Sequence, residues 1–368
     1  MRTNEKKADQ ILIITTFALI AFGLVMISSA GVAISQNRFD DGYYFFKHQL
    51  FYGVMPGLIL MFVAQKINYQ FWKKIALPLF ILNLVFLVLV FIPGLGLNFQ
   101  GASRWIKLGP FSFQPTEMLK LSLILYLAAW LEGKKEQTKD FFEGFVPFLA
   151  ILGLVGFLII KQPDMGTLGT IVIIAIAMYF LSGAKAVHLA GTFGVGLIAF
   201  LALIKFESYR MNRLLVFLHP ELDPRGIGYQ INQALLAIGS GGLFGLGLGH
   251  SRQKFNYLPE PVGDSIFAII CEEIGFLGAV VLILLFVAFA MRGLKIAKNA
   301  PDVFGKLVAI GITSWIIFQA LINISAITGL IPLTGVTLPF ISYGGTSLVF
   351  SMTAVGILLN ISKKCGKM

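Results

Sequence analysis

Charge is what this chain has least of. Asp, Glu, Lys and Arg make up 13% of its 368 residues, where soluble domains carry roughly a quarter. Acids are the scarcer sign, with 18 Asp and Glu against 29 Lys and Arg. Two cysteines, Cys271 and Cys365, are too few for a disulfide framework, and they are expected at opposite ends of the molecule. The four histidines are scattered, with no His-x-x-x-His pair and no other metal-ligand spacing.

Hydrophobic residues fill the space, at 57%. They fall in runs over 11–33, 53–64, 75–97, 119–131, 145–160, 166–181, 187–204, 266–291, 307–331 and 348–361. About 20 residues rising 1.5 Å each cross a 30 Å hydrocarbon core, and weakly polar flanks lengthen the shorter runs. The pattern predicts an all-α fold: a polytopic membrane helical bundle of about ten transmembrane helices, a single domain over 1–368, with a large extracytoplasmic loop over about 205–263.

With ten spans, both termini share a side. Short loops on that side hold Lys66, Lys73, Lys74, Lys134, Lys135, Lys139, Lys185, Arg292, Lys295, Lys298 and Lys306, while those opposite hold only Arg38, Lys47, Arg104, Lys107 and Lys161. The positive-inside bias places the termini in the cytoplasm. It also accounts for most of the net charge of +11, which is therefore no sign of nucleic acid binding. The basic opening followed by a long apolar run reads as an uncleaved first helix.

The few charges inside or beside apolar runs are the candidate functional groups, since such residues are costly in a bilayer. Asp264 stands where the polar stretch from Tyr257 turns apolar. It is either a helix cap or a carboxylate at a helix mouth able to take a proton. Glu272 and Glu273 follow in the same run, nearly 100° apart around a helix. Glu117 and Lys120, three apart, share a face: a self-neutralising pair, or part of a site. Asp164, after Gln162-Pro163, caps the next helix or faces the same cavity. Arg104-Trp105, in a glycine-rich loop over 93–115, is an interface anchor or a guanidinium for phosphate.

The long loop is basic, with Arg210, Arg213, Arg225, Arg252 and Lys254, and its glycines from Gly239 to Gly249 suit a re-entrant or interfacial segment whose backbone packs closely. Residues 323–347 contain two prolines and end Ser-Tyr-Gly-Gly-Thr-Ser. They cannot form a plain membrane helix, and broken backbone at membrane depth must be buried in protein or line water.

This last segment resembles the signature of the SEDS family (shape, elongation, division and sporulation), to which FtsW and RodA belong. Asn323, Gly329, Pro332, Gly335, Ser342, Gly344, Gly345 and Ser347 match in register, joined by Arg104-Trp105, Gln114-Pro-Thr-Glu117 with Lys120, Gln162-Pro-Asp164 and Tyr257-Leu-Pro-Glu260 before Asp264. The stretches 24–30 and 339–345 look closer to FtsW than to RodA. One departure is Gly263-Asp-Ser265, where many relatives read Thr-Asp-Phe.

The resemblance implies a peptidoglycan glycosyltransferase that polymerises lipid II at the outer face of the bacterial cytoplasmic membrane and releases undecaprenyl diphosphate. Its implied partners are lipid II, undecaprenyl-linked glycan, a class B penicillin-binding protein and other divisome or elongasome membrane proteins. Asp264 is the expected catalytic base. Arg104, Glu117, Lys120, Asp164, Arg210, Arg213, Glu260, Ser342, Gly344 and Gly345 are the expected substrate-binding residues. No cofactor is certain; magnesium or manganese with the diphosphate is one way to balance its charge. A lipid II flippase would place charges near mid-membrane and show repeated halves, and no repeat is visible. A non-catalytic division scaffold would not require acids and arginines at helix mouths.

Overall fold

The computed structural model describes residues 7–99, 102–108, 111–134, 136–206, 208–219, 222–223, 226–255 and 257–365. Its helices in chain order are α1 (Gln10–Ala30), α2 (Val32–Phe39), α3 (Tyr44–Gln49), α4 (Met55–Lys66), α5 (Tyr69–Leu89), α6 (Pro115–Gly133), α7 (Val146–Lys161), α8 (Met165–Leu181), α9 (Ala186–Phe206), α10 (Ser208–Leu218), α11 (Ile227–Ser240), α12 (Ile266–Asn299), α13 (Val303–Ile327) and α14 (Gly345–Lys364). A π-helical turn at 50–54 joins α3 to α4, and another at 141–145 leads into α7.

Among the described residues, seven helical segments are long and apolar enough to cross a membrane: α1, α3 through α4, α5, the turn into α7, α12, α13 and α14. The three other apolar runs are α6, which carries Glu117, Lys120 and Glu132, the 17-residue α8, and α9. Together they account for the ten expected runs. The protein is a multi-pass helical membrane bundle.

α13 and α14 form its axis. Trp315 and Phe304 on α13 are fully buried, as is most of α14 from Ser351 to Ser362. α4 runs along α14, α12 packs against α13 and α1, and α6 and α8 pack on α13. The outer helices expose apolar side chains such as Ile59, Phe62, Leu77 and Ile81. That is the arrangement expected where lipid, not water, covers the surface.

Two regions read as loops are ordered. A three-stranded antiparallel sheet is formed by β1 (Gly96–Phe99), β2 (Ala102–Leu108) and β3 (Phe111–Phe113), with Leu97 opposite Trp105 and Ile106 opposite Phe113. Within 205–263, α10 and α11 are helical, and the described residues after α11 double back through a series of turns.

The glycines suggested a re-entrant or interfacial segment whose backbone packs closely, and the close packing is what the doubling back shows. α12 is broken at Gly275, whose φ of 74° and ψ of −172° are not helical. Residues 242–247 lie against the break. Leu246 N and Gly247 N donate to the carbonyls of Glu272 and Glu273, while Phe276 N and Leu277 N donate to those of Gly242 and Leu243. The break therefore leaves these backbone groups paired, as burial away from water demands. A Cβ on Gly245 would overlap the Glu273 carbonyl, so only glycine permits this approach.

Candidate functional site

α6, α8 and α14 begin at the same end of the bundle, and their first turns open on one cavity of about 170 Å³. The strand β2 and the irregular segment after α13 close it. Its lining includes Arg104, Glu117, Lys120, Asp164, Tyr343 and Gly344. Three helix N-termini meet at this cavity, each with partial positive charge, and the acids Glu117 and Asp164 offset part of it at α6 and α8.

Glu117 and Lys120 are 5% and 2% exposed and make an ion pair of 2.8 Å. Lys120 Nζ also donates to Gln319 Oε1 at 2.8 Å and lies 5.0 Å from the centre of the Trp315 ring. Trp315 Nε1 donates to the same Gln319 oxygen. Gln319 Nε2 donates to the Thr337 carbonyl at 2.9 Å. Glu117 Oε2 is buried with no hydrogen-bond partner in the protein. An orphaned carboxylate oxygen beside a cavity is the kind of group a bound donor satisfies.

Asp164 does both things its sequence position allowed. It caps α8, accepting from Thr167 N at 3.2 Å and Thr167 Oγ1 at 2.8 Å, and it lines the cavity. Arg104 is tied to the turn before it: its guanidinium donates to the carbonyls of Gln162, at 3.0 Å, and Pro163. These bonds take two of the five donors of a guanidinium.

Asp264 lies just beyond the cavity wall. Gly335 is part of that wall, and an added Cβ there would stand 4.0 Å from Asp264 Oδ2. Asp264 does not cap α12: the N-cap position is Ser265, and no side chain bonds to the helix's first N–H groups there. Its carboxylate takes two long bonds on Oδ1, from Gln230 Nε2 and Ser265 Oγ, each 3.4 Å. Burial pushes its pKa up to about 6, and the neighbouring Glu260 charge pushes the same way. Ser265, Gln230 and the Arg213 charge pull it down. A carboxyl group so placed is half ionised near pH 6 and accepts a proton from a ligand at neutral pH more readily than an ordinary aspartate.

The backbone carrying Asp264 is held by the segment after α13. Asn323 Nδ2 donates to the carbonyls of Asp264 and Val336, at 2.8 and 2.7 Å. Ser342 Oγ donates to Gly263 O and accepts from Leu338 N, and Tyr343 N donates to Val262 O. Ser342 thus spends its hydroxyl on the loop. Gly344 lines the cavity, while Gly345 packs against the Tyr52 backbone. Glu260, with a positive φ of 49°, is exposed, and its carbonyl accepts from Gly263 N and Ser265 N. Arg213 Nη1 donates to Leu333 O at 2.7 Å. The side chains of Arg210 and Arg225 lie outside the described residues.

Gln230 and Gly335 had not been singled out for contact with the acid. Gln230 sits 34 residues from Asp264 on an amphipathic helix, and only the fold brings the two together. Ser265, at the departure from Thr-Asp-Phe, bonds to both Gln230 and Asp264.

The FtsW, RodA and SpoVE family model, described as cell cycle protein, matches residues 9–366. Stage V sporulation protein E of Bacillus subtilis is 45% identical over 364 residues, covering 99% of each chain. A probable peptidoglycan glycosyltransferase FtsW of Trichlorobacter lovleyi is 42% identical over 354 residues, 96% of this chain and 93% of the relative. Among solved structures, a chain from a study of coordinated polymerization and crosslinking by a peptidoglycan synthase complex superposes with a TM-score of 0.81 at 28% identity, covering 97% of this chain and 98% of that one. Thermus thermophilus RodA superposes with a TM-score of 0.73 at 27% identity over the full length of both. Fold, sequence and motif register agree, and the chain belongs to the FtsW/RodA/SpoVE family.

Proposed function

We propose that this protein is a peptidoglycan glycosyltransferase that polymerises lipid II, with Asp264 as the general base. The observation that carries this reading is the placement of Asp264: a carboxylate with a raised pKa that caps no helix and stands at the wall of a polar cavity. In the reaction, an acceptor sugar hydroxyl attacks the anomeric carbon of the donor. Asp264 takes the hydroxyl proton as the new glycosidic bond forms. The bond from the anomeric carbon to the undecaprenyl diphosphate breaks, and that diphosphate leaves with the electron pair. Charge grows on it in the transition state, and fixed cations and helix N-termini stabilise such charge without reorganising. Arg104, Lys120 and the first turns of α6, α8 and α14 are the groups so placed, with Arg210 and Arg213 on α10 as further cations.

Among the described residues no three His, Cys, Asp or Glu side chains gather as a metal site. A divalent cation arriving with the diphosphate would need only one or two protein carboxylates, and Glu117 and Asp164 are the cavity acids that would hold it.

The reading puts the cavity at the outer face of the cytoplasmic membrane, with both termini inside, and a class B penicillin-binding protein as the partner that crosslinks the product. The charge asymmetry of the loops supports this orientation. A cysteine at the exposed position of Tyr257 should react with an impermeant thiol reagent added outside intact cells; reaction only after the cytoplasm is opened would overturn it. The function itself is tested by giving purified lipid II to the full chain, with and without its partner. Glycan strands that disappear with Asp264→Asn are expected, and transport of lipid II without strand formation would favour a flippase instead.

A further inference from the structure

A second buried charged cluster lies away from the cavity. Glu272 and Glu273 are each 1% exposed and Lys254 is 2% exposed. The carboxylates point about 100° apart around α12, and the turn 251–254 is wide enough to serve both. Arg252 N donates to Glu272 Oε1 at 2.8 Å and Ser251 Oγ to Glu272 Oε2. Ser251 N donates to Glu273 Oε1 at 3.3 Å, and Lys254 Nζ to the same oxygen at 2.9 Å. Ser29, at the end of α1, donates to Glu273 at 2.6–2.7 Å and accepts from Lys254 at 3.2 Å. Lys254 Nζ also donates to Gly249 O. Successive backbone N–H groups facing carboxylates make an anion-binding nest, filled here by the chain's own acids.

What this cluster fixes is a loop with Asp264 at its far end. The loop leaves the α12 break at 247, passes the clamp at 251–254, and returns to α12 at Asp264. Leu258 N bonds back to Gln253 O, and Val262 rests beside Gly31, two residues beyond Ser29. We infer that Lys254, clamped by Glu273 and Ser29, is a positioning residue that sets where Asp264 stands relative to the cavity. The inference rests on Asp264 being the base. A loop held at one end by backbone bonds to the 338–343 segment and at the other by a buried ion pair has little room to drift. A misplacement of about 1 Å at a reacting centre costs on the order of 10²-fold in rate.

The experiment uses the full chain with its partner and lipid II, in four variants: Asp264→Asn, Ser29→Ala, Lys254→Met, and Lys254→Met with Glu273→Gln. The last removes both members of the pair, so no lone charge is buried, and Ser29→Ala weakens the clamp while leaving the pair intact. Expected are a fall in kcat of several-fold for Ser29→Ala and about 10²-fold for the neutral pair, with KM for lipid II little changed. A merely structural role lowers the active fraction without changing the pH dependence. Loosening the loop lets water reach Asp264, between Glu260 and Arg213, so the acid limb of the pH–rate profile should also move to lower pH. Wild-type kcat and an unmoved acid limb in Ser29→Ala, with Asp264→Asn inactive, would overturn the positioning role alone. Activity in Asp264→Asn would instead remove the base assignment on which it rests.

Discussion

Replacing Asp264 by Asn should stop the enzyme and at the same time make it more stable. The fold raises the pKa of this carboxyl from 3.8 to about 6, so it favours the protonated form. The stability this contributes is fully present below about pH 4 and is lost as pH rises through 6. At pH 8 the ionised carboxylate therefore burdens the folded chain. One pH unit corresponds to about 1.4 kcal/mol, so the burden is up to ~3 kcal/mol. Asn has the same shape and no charge, and it can still accept from Gln230 and Ser265. The expected result is a variant that melts higher than wild type at pH 8, with the difference vanishing near pH 4. Polymerisation should fall by the ~10²–10⁴-fold that a general base supplies. In the wild-type enzyme, a group half ionised near pH 6 predicts a roughly tenfold lower kcat/KM at pH 5 than at pH 7. Thermal melting of the detergent-solubilised chain across pH and lipid II turnover measure both halves. Near wild-type turnover in the Asn variant, or a melting difference that does not depend on pH, would refute the reasoning.

The other predictions concern the cavity wall. Lys120→Met leaves Glu117 buried without its cation and should cost about 3–5 kcal/mol, whereas Glu117→Gln with Lys120→Met should regain most of it; thermal melting of Lys120→Met, Glu117→Gln and the double variant shows whether the coupling exists, and simple additivity would deny it. Gly335→Ala places a methyl group between the cavity and Asp264 at a φ of +70°, a backbone that costs an L-residue about 1–2 kcal/mol. It should lower kcat about tenfold with a small change in KM, and unchanged steady-state kinetics would show that the acid does not work through this wall.

The membrane bundle was legible because apolar runs are separated by charged or glycine-rich breaks, and even α6, with Glu117 and Lys120 in its first turns, keeps its run. The convergence of Glu117, Lys120 and Asp164 was legible for the same reason: each charge sits where a run begins, and the alternating direction of the helices brings alternate beginnings to one end. The β-sheet was not, since its strands are short and contain Gly96 and polar residues such as Ser103 and Lys107 among the apolar ones. Nor was the use made of Glu272 and Glu273. Their separation around α12 argued for different partners, yet a turn from the preceding loop spans both. Part of that pairing is made by the backbone N–H groups of Ser251 and Arg252, which leave no mark on side-chain identity, and the rest by Ser29, Ser251 and Lys254 side chains that only the fold brings to the acids.

The segment 328–344 carries most of the signature residues Asn323 to Ser347, and its hydrogen bonds give a reason for them that does not require every residue to touch a ligand. Irregular backbone inside a membrane bundle has donors and acceptors that water cannot reach, and each must find a partner. Here Val336 O is bonded by Asn323, Leu338 N by Ser342, and Tyr343 N by Val262 O. The same Asn323 and Ser342 side chains also bond Asp264 O and Gly263 O. Satisfying the broken segment and fixing the acid are thus accomplished by one set of hydrogen bonds. A substitution at Asn323 or Ser342 cannot disturb one without the other, and constraint on these positions follows from the acid's placement as much as from substrate contact.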